Sequence, residues 1–198
     1  MTPLPESLLE SVAAAAVREG LADALFTRLN TPLGRLLVVQ GPEGIARIAF
    51  PEEAEDRVLA QIASVFGPNV IGSDRELTDE RDALSEYLEG DATTLDLPVD
   101  LRLTSGPFRR VVLEQLRQVP RGETVSYGQL AVRAGNPKAS RAVGTACARN
   151  PVPIVVPCHR VLPSTGKLGN YAGGPERKRT LLALEGAAAG VGRPSTAP

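Results

Sequence analysis

The sequence predicts an α/β protein in two parts, a small mixed α/β domain followed by a mostly helical domain. Strand-like runs stand in the first half, at 34–40 and 44–50, whereas apolar residues at helical spacing dominate the second half. The charge changes at the same place, since residues 101–198 hold 15 Lys and Arg against 4 Asp and Glu, a net +11, whereas residues 1–100 carry −12. We expect the boundary between the two parts near 98–106.

The composition is that of an ordinary soluble globular protein, with 42% hydrophobic and 23% charged residues in a chain of 198. No apolar stretch is long enough to span a membrane, and the N-terminus does not have the pattern of a secretory signal. The only two cysteines, Cys147 and Cys158, do not make a disulfide framework, so we expect a reducing, cytoplasmic setting. Without a CxxC pair or a second histidine, we expect no metal site.

The first part begins with a helical pattern. Residues 6–26 are rich in Ala, Leu and Val at helical spacing, which makes 1–26 an N-terminal helical extension of an α/β domain at 27–100. The runs 34–40 and 44–50 flank a Gly-Pro-Glu turn and predict a β-hairpin. The other predicted elements of this part are helices at 53–66 and 76–89 and a Pro98-containing edge strand at 95–101.

The second part, 101–186, contains a candidate helix-turn-helix. A helix at 107–119 is followed by a short one that Ser126 caps and Gly135 ends. Asn136 then caps a helix that runs to about Arg149 and bears Lys138 and Arg141. An ordinary α-hairpin gives the same pattern, and the basic charge either meets a polyanion or is neutralised by the acidic half. A last helix is predicted at 175–186, and the tail 187–198 is predicted to be disordered.

The segment Pro157-Cys158-His159-Arg160 is the strongest chemical signal. It places the only histidine of the chain beside one of its two thiols, at the end of a short apolar run. A neighbouring base and a positive charge both favour the thiolate, which is the nucleophilic form of cysteine. A lone buried cysteine can equally be an inert small hydrophobe, so the pair by itself leaves both interpretations open.

The motifs around this segment resemble one known family. They are Pro120-Arg121-Gly122-Glu123-Thr124-Val125-Ser126-Tyr127, Arg141-Ala142-Val143-Gly144, Asn150-Pro151 through Val161, Gly169-Asn170-Tyr171-Ala172-Gly173-Gly174 and Leu182-Ala183-Leu184-Glu185-Gly186. In this order and at these spacings they look like O6-alkylguanine-DNA alkyltransferase, the methylated-DNA–protein-cysteine methyltransferase family. The likeness covers roughly 30–186 and is dense over 107–186.

The resemblance implies a ribonuclease-H-like N-terminal α/β domain and a C-terminal winged helix-turn-helix-like domain that carries the reactive cysteine. It implies a DNA repair protein that moves the alkyl group from O6-alkylguanine, and from O4-alkylthymine, irreversibly to its own Cys158, once per molecule. The partner would be double-stranded DNA, bound at the minor groove with the damaged base flipped out. No cofactor and no membrane are implied, and we expect a monomer, with cooperative binding on DNA left open.

The resemblance also implies residue roles. Cys158 would be the nucleophile, His159 its base through a water molecule, and Glu185 the group that orients the imidazole. Tyr127 would donate a proton to the leaving guanine, and Asn150 would steady the thiol. The implied DNA contacts are Arg141, Ala142, Gly144, Tyr127 and Lys138. The implied pocket residues are Val161, Tyr171, Ala172, Gly173 and Cys147.

Some features depart from the family pattern. Ala172 stands where some members have Ser, so only its backbone N–H could reach O6, and Cys147 is a second thiol for which packing is the simpler interpretation. The cysteines of the optional N-terminal zinc site are absent. Three rival functions remain on the sequence alone: a lesion sensor without catalysis, a helix-turn-helix regulator with a reactive cysteine, and a cysteine hydrolase.

Overall fold

The computed structural model describes residues 6–187, which divide into two compact units between Leu103 and Thr104. This division falls inside the interval 98–106 in which the boundary is predicted. Of the predicted disordered tail, 187–198, all but the buried Ala187 lies outside the described residues. No helix among residues 6–187 is long and apolar enough to cross a membrane.

The first unit is a four-stranded sheet with three helices. Its elements are α1 (Glu6–Arg18), β1 (Ala24–Thr31), β2 (Gly34–Gly41), β3 (Gly44–Ala49), α2 (Glu55–Phe66), β4 (Val70–Gly72) and α3 (Thr78–Glu89). The strand order is β3-β2-β1-β4, with β4 parallel to β1 and the other pairs antiparallel. Val58 and Ile62 of α2 pack on Leu37, Val39 and Ala49 of the sheet and form its core.

The predicted hairpin and helices of this unit are present, but the predicted helix 6–26 is too long. It ends at Arg18, beyond which Gly20 adopts φ 68, and the chain enters β1 at Ala24. The Ala- and Leu-rich run continues into residues whose backbone pairs with β2, so tertiary pairing overrides the helical pattern here. Side-chain contacts of Glu10 with Ser73 Oγ (2.5 Å) and Asp74 N–H (3.0 Å) hold α1 on the unit.

The predicted edge strand at 95–101 is also wrong, because only one isolated bridge forms there. Ile45 N–H donates to the Pro98 carbonyl (2.8 Å), and Asp100 N–H donates to the Ile45 carbonyl (2.9 Å). Pro98 has no N–H with which to extend a ladder, and the chain turns into a 3₁₀ turn at Leu101–Leu103.

The second unit is mostly helical. It comprises α4 (Pro107–Arg117), β5 (Val125–Ser126), α5 (Tyr127–Arg133), α6 (Ser140–Ala148), a 3₁₀ turn (Cys158–Arg160), β6 (Val161–Leu162) and α7 (Gly174–Leu184). Ser126 caps α5 as predicted, since its hydroxyl accepts from Gln129 N–H while the Gln129 side chain accepts from Ser126 N–H. The pair β5–β6, which the sequence does not predict, is parallel and brings Val125 opposite Val161.

The second helix of the helix-turn-helix begins later than predicted. Residues 136–139 form a turn in which Ala139 N–H donates to the Asn136 carbonyl (3.0 Å), and α6 begins at Ser140. Asn136 therefore does not cap the helix, and Lys138 lies in the turn before it rather than on it. α4, α5 and α6 pack on one another and form a compact support for this motif.

We predict that Gly44→Ala destabilises the first unit. A Cβ at this position would lie 2.3 Å from the backbone C and O of Pro98, and Gly44 has φ +134. Strain and overpacking together should lower the free energy of unfolding by about 3 kcal/mol or more. Urea unfolding followed by far-ultraviolet circular dichroism measures the loss.

Gly20→Ala is the matched control, because Gly20 also has a positive φ, +68, but a Cβ there would meet nothing within 4 Å. Gly20→Ala should lower the free energy of unfolding by about 1–2 kcal/mol, because only the left-handed conformation is unfavourable for alanine there. Equal losses in the two variants would contradict the role of the Pro98 contact.

Candidate active site

The Cys158–Arg160 turn is held rigidly inside the second unit. Cys158 N–H donates to the Val156 carbonyl (2.8 Å), and Val161 N–H donates to the Cys158 carbonyl. The turn runs directly into β6, whose pairing with β5 fixes its direction. Cys158 is only 4% exposed and His159 is fully buried. The backbone thus fixes the position of the sulfur independently of any ligand.

Asn150 connects the end of α6 to the thiol. Its Nδ2 donates to the Val156 carbonyl (2.8 Å) and to Cys158 Sγ (3.2 Å), while its Oδ1 accepts from Val152 N–H (3.0 Å). Only this orientation of the amide satisfies all three contacts. A donor aimed at the sulfur favours the thiolate, so the geometry agrees with the steadying role expected of this residue.

The segment between Asn150 and Cys158 stores backbone strain. Ile154 has φ 78, a left-handed conformation that is rare for a β-branched residue. Burial of its side chain and a Val156 N–H to Val152 carbonyl hydrogen bond (2.9 Å) hold it there. Strained backbone of this kind persists only where surrounding contacts over-determine it, and it concentrates at functional sites.

A buried carboxylate organises the residues behind the thiol. Glu185 Oε1 lies 2.6 Å from His159 Nε2, and Arg160 donates from Nε to Glu185 Oε2 (2.9 Å) and from Nη2 to Oε1 (3.0 Å). The third guanidinium nitrogen of Arg160, Nη1, donates to the Val119 carbonyl. All three charged or titratable side chains are buried, so the network anchors the turn to the end of α7.

The network also fixes the form of His159. With Nε2–H donating to Glu185, the imidazole keeps Nδ1 as its acceptor, and this buried atom has no hydrogen-bond partner among the described residues. Burial lowers the pKa of His159, against the opposing hydrogen bond and charge of Glu185, and the charges of Arg160 and Lys178 lower it further. The imidazole is therefore neutral at neutral pH and is available as a base.

The thiol opens on a cavity of about 400 Å³ formed by the helix-turn-helix and the glycine-rich loop. Its lining residues are Tyr127, Arg141, Gly144, Thr145, Cys147, Ala148, Cys158, Asn170, Tyr171 and Ala172. The size and the mixed polar and apolar lining are typical of a pocket for a small organic ligand.

Burial makes both thiols in this cavity hard to ionise. Burial raises the pKa of Cys158 to about 11, although the Asn150 hydrogen bond and the Lys178 charge oppose it. Burial raises the pKa of Cys147 to about 12, with the Cys158 charge as a second cause. Burial also raises the pKa of Tyr127, so this phenol stays protonated and can donate.

The structure brings together most of the predicted site residues, in two layers. Tyr127, Arg141, Gly144, Cys147, Tyr171 and Ala172 line the cavity with Cys158, whereas Asn150, His159 and Glu185 lie buried outside its lining. Four others do not line it: Ala142 and Lys138 are exposed, and Val161 and Gly173 are buried. The Val161 carbonyl already accepts from Lys178 Nζ (2.7 Å).

Sequence reasoning missed several residues of the site. Thr145, Ala148 and Asn170 line the cavity, and Arg160, which is expected from the sequence to favour the thiolate by its charge, is paired with Glu185. Lys178 is fully buried, although the run Arg177-Lys178-Arg179 looks like a solvated helix face. Its spacing from buried Leu181 and Leu182, three and four residues on, was the available signal. Among the described residues, no group of three His, Cys, Asp or Glu side chains could hold a metal ion.

Comparison with known proteins identifies the family. Residues 107–187 match the model of the 6-O-methylguanine DNA methyltransferase DNA binding domain, and residues 24–101 match the ribonuclease-like domain of the same family. The chain belongs to the 6-O-methylguanine DNA methyltransferase family. The predicted family and the predicted fold class are thereby confirmed.

The chain matches several relatives of the same name over most of their length. The methylated-DNA–protein-cysteine methyltransferase of Mycolicibacterium paratuberculosis is 41% identical over 74% of this chain and 89% of the relative. The protein of that name from Salmonella typhimurium is 38% identical over 82% of this chain and 95% of the relative. The crystal structure of Mycobacterium tuberculosis OGT in complex with DNA superposes with a TM-score of 0.70 at 32% identity, covering 83% of this chain and 96% of that one.

We predict that Asn150→Ala destabilises the second unit, because it leaves Val152 N–H buried without its partner and leaves the Val156 carbonyl with the Cys158 N–H alone. The loss should be about 2–4 kcal/mol in the free energy of unfolding. The exposed Asn136, in the turn before α6, provides the matched control, and Asn136→Ala should cost less than about 0.5 kcal/mol. Denaturant titration distinguishes the two variants, and similar losses would show that the three hydrogen bonds of Asn150 do not matter.

Proposed function

We propose that this chain repairs DNA by transferring the alkyl group of O6-alkylguanine, and of O4-alkylthymine, to Cys158 in a single, irreversible turnover. The observation that carries the proposal is the setting of the thiol. Cys158 Sγ accepts from Asn150 Nδ2, lies next to a neutral His159 and faces a cavity walled by the helix-turn-helix. The names of the relatives, which describe methyltransferases acting on methylated DNA, support the same activity.

The reaction is a displacement at the alkyl carbon. Cys158 Sγ forms the new C–S bond while the C–O6 bond breaks, and the electron pair of that bond leaves with the guanine. The thiol proton passes through a water molecule to His159 Nδ1, and the imidazolium is stabilised by Glu185 at Nε2. Tyr127, which stays protonated, donates a hydrogen bond to the ring N3 of the departing guanine and so stabilises its negative charge.

The thioether product explains the single turnover. A C–S bond to an alkyl group is not cleaved by a base or a carboxylate, and these are the groups that His159 and Glu185 supply. The reaction needs no cofactor, since the alkyl group comes from the DNA and the acceptor is part of the chain. A reducing cytoplasmic setting would keep Cys158 as a thiol.

The cavity suits a base rotated out of the duplex. The alkylated O6 of a stacked guanine is out of reach of a buried thiol, so the nucleotide must be extruded at a cost of a few kcal/mol. The backbone carbonyls of Cys158 and Val161 would read the exocyclic amine, with Val161 using the lone pair that Lys178 leaves free. Because Ala172 has no hydroxyl, its N–H would contact O6, and the loop through Tyr171 and Gly173 would cover the base.

α6 is the element that would enter the minor groove of double-stranded DNA. Arg141 is exposed and also lines the cavity, so its guanidinium is placed to fill the space that the flipped base leaves. The exposed Ala142 and the half-buried Gly144 would allow close approach of the backbone, and Lys138 would contact a phosphate from its turn. A monomer would suffice, since every proposed role lies within one unit of one chain.

The proposal predicts that Cys158, and not Cys147, gains one methyl group. Peptide mass spectrometry after mixing the protein with a duplex that contains one O6-methylguanine should show stoichiometric methylation of the Cys158 peptide. Cys158→Ala should abolish the gain, whereas Cys147→Ala, a change at the other thiol of the cavity, should retain it. Tight lesion-dependent binding without any mass gain would instead identify a lesion sensor.

A second prediction concerns base flipping. Arg141→Ala should slow methyl transfer from duplex DNA about tenfold or more, because the space left by the flipped base stays unfilled and extrusion costs a few kcal/mol. Transfer from a single-stranded oligonucleotide should change much less, because no base pair has to open.

The control for this prediction is Arg133→Ala, an exposed arginine at the end of α5 that does not line the cavity. It should leave the ratio of the transfer rates from the duplex and the single strand unchanged, and any loss of binding should be largest at low salt. Equal slowing of Arg141→Ala on both substrates would contradict the assigned role.

A further inference from the structure

Lys178 is a buried cation whose described partners are all neutral. It lies in α7, is fully buried, and its Nζ donates to the Val161 carbonyl (2.7 Å) and, more weakly, to the Asn170 carbonyl (3.4 Å). Among residues 6–187, no carboxylate forms an ion pair with it. Burying an ammonium without an anion is costly, so the position of this side chain calls for a reason.

The two carbonyls that bind Lys178 belong to two different segments near the thiol. Val161 follows the Cys158–Arg160 turn directly, and its N–H donates to the Cys158 carbonyl. Asn170 belongs to the glycine-rich loop and lines the cavity. Lys178 therefore ties the loop that would cover the base to the strand that positions the nucleophile.

Among the cations near the thiol, Lys178 is the one whose charge lowers the pKa of Cys158. Arg160 is paired with Glu185 through two hydrogen bonds, whereas the Lys178 charge meets no carboxylate within the described part of the chain. Burial lowers the pKa of Lys178 to about 8, so it is mostly charged at neutral pH, and it lowers the pKa of Cys158 against the effect of burial. The other titratable or charged groups near the thiol, from every surrounding element, are Tyr127, Arg141, Cys147, His159, Arg160, Tyr171, Arg177 and Glu185.

We propose that Lys178 is a positioning residue of the transfer reaction, whose buried ammonium stabilises the developing charge on Cys158 and holds the Asn170 loop over the cavity. This rests on the proposed function for its biological role, but the effect on the thiol does not need DNA. In a site that excludes water, one fixed positive charge has a much larger effect on an ionising sulfur than it has at the surface. The side chain thus supplies what a buried thiol lacks, an environment that favours the thiolate.

The decisive measurement is the rate of Cys158 alkylation by iodoacetamide between pH 6 and 10, followed by peptide mass spectrometry so that Cys147 is counted separately. Lys178→Gln removes the charge but keeps a donor, and its rate curve should shift to higher pH. A shift of one pKa unit lowers the rate at pH 7 about tenfold. Lys178→Arg should restore the curve of the unaltered protein.

Arg179→Gln is the matched control, because Arg179 is the next residue of α7, is exposed, and pairs with Glu176 at the surface. It should leave the curve unchanged. An unshifted curve for Lys178→Gln, or an equal shift for Arg179→Gln, would overturn the proposal.

A second comparison applies if Lys178→Gln does not fold. In the unaltered protein Lys178 loses its charge above about pH 8, so the rate should rise less steeply there than in Lys178→Arg, whose guanidinium stays charged. Equal slopes would overturn the proposal. If the unaltered protein takes no methyl group from O6-methylguanine DNA while the iodoacetamide curve still depends on Lys178, the proposed function fails and the charge effect stands.

Discussion

The buried carboxylate of Glu185 is the interaction on which the site depends. It accepts from both His159 and Arg160, and Arg160 in turn reaches the Val119 carbonyl beyond α4. A carboxylate at this depth is tolerable only because every partner is present at once, and removing one partner of a buried pair typically costs about 3–5 kcal/mol. The end of α7 is itself held in place, since Arg121 donates to the Leu184 carbonyl (2.7 Å). Two distant parts of the unit thereby fix the turn that carries the nucleophile.

Three residues act on the thiol from positions outside the lining of the cavity. Asn150 supplies a hydrogen bond to the sulfur, His159 supplies a neutral Nδ1, and Lys178 supplies a positive charge. Burial acts against the hydrogen bond and the positive charge, because it raises the pKa of Cys158 and favours the neutral thiol. The resting site therefore contains a buried cysteine that is mostly in its neutral thiol form at neutral pH.

The presence of two thiols in one cavity shows how selective this arrangement is. Cys147 and Cys158 both line the cavity, and both are buried. Of these two sulfurs, only that of Cys158 accepts a hydrogen bond from the Asn150 amide among the contacts described. Burial raises the pKa of both thiols, and the Asn150 hydrogen bond counteracts it only at Cys158. The nucleophile is therefore distinguished by its neighbours rather than by its residue type. The strained Ile154 lies between Asn150 and Cys158, and it keeps its left-handed conformation because the backbone of this segment is tightly constrained.

Local patterns determined much of this protein. Alternation around a Gly-Pro-Glu turn gave the hairpin of β2 and β3, Ser126 gave the start of α5, and the ordered motifs gave the family and the residues of the site. The same patterns fail where distant contacts decide. They predict a helix that continues into β1, and they place the start of α6 at Asn136 instead of Ser140. The burial of Lys178 between two carbonyls, the left-handed Ile154 and the joining of Glu185 to His159 and Arg160 depend on which backbone groups and charges meet after folding. Periodicity records which face of a segment is apolar, but only tertiary structure determines which buried polar group finds a partner.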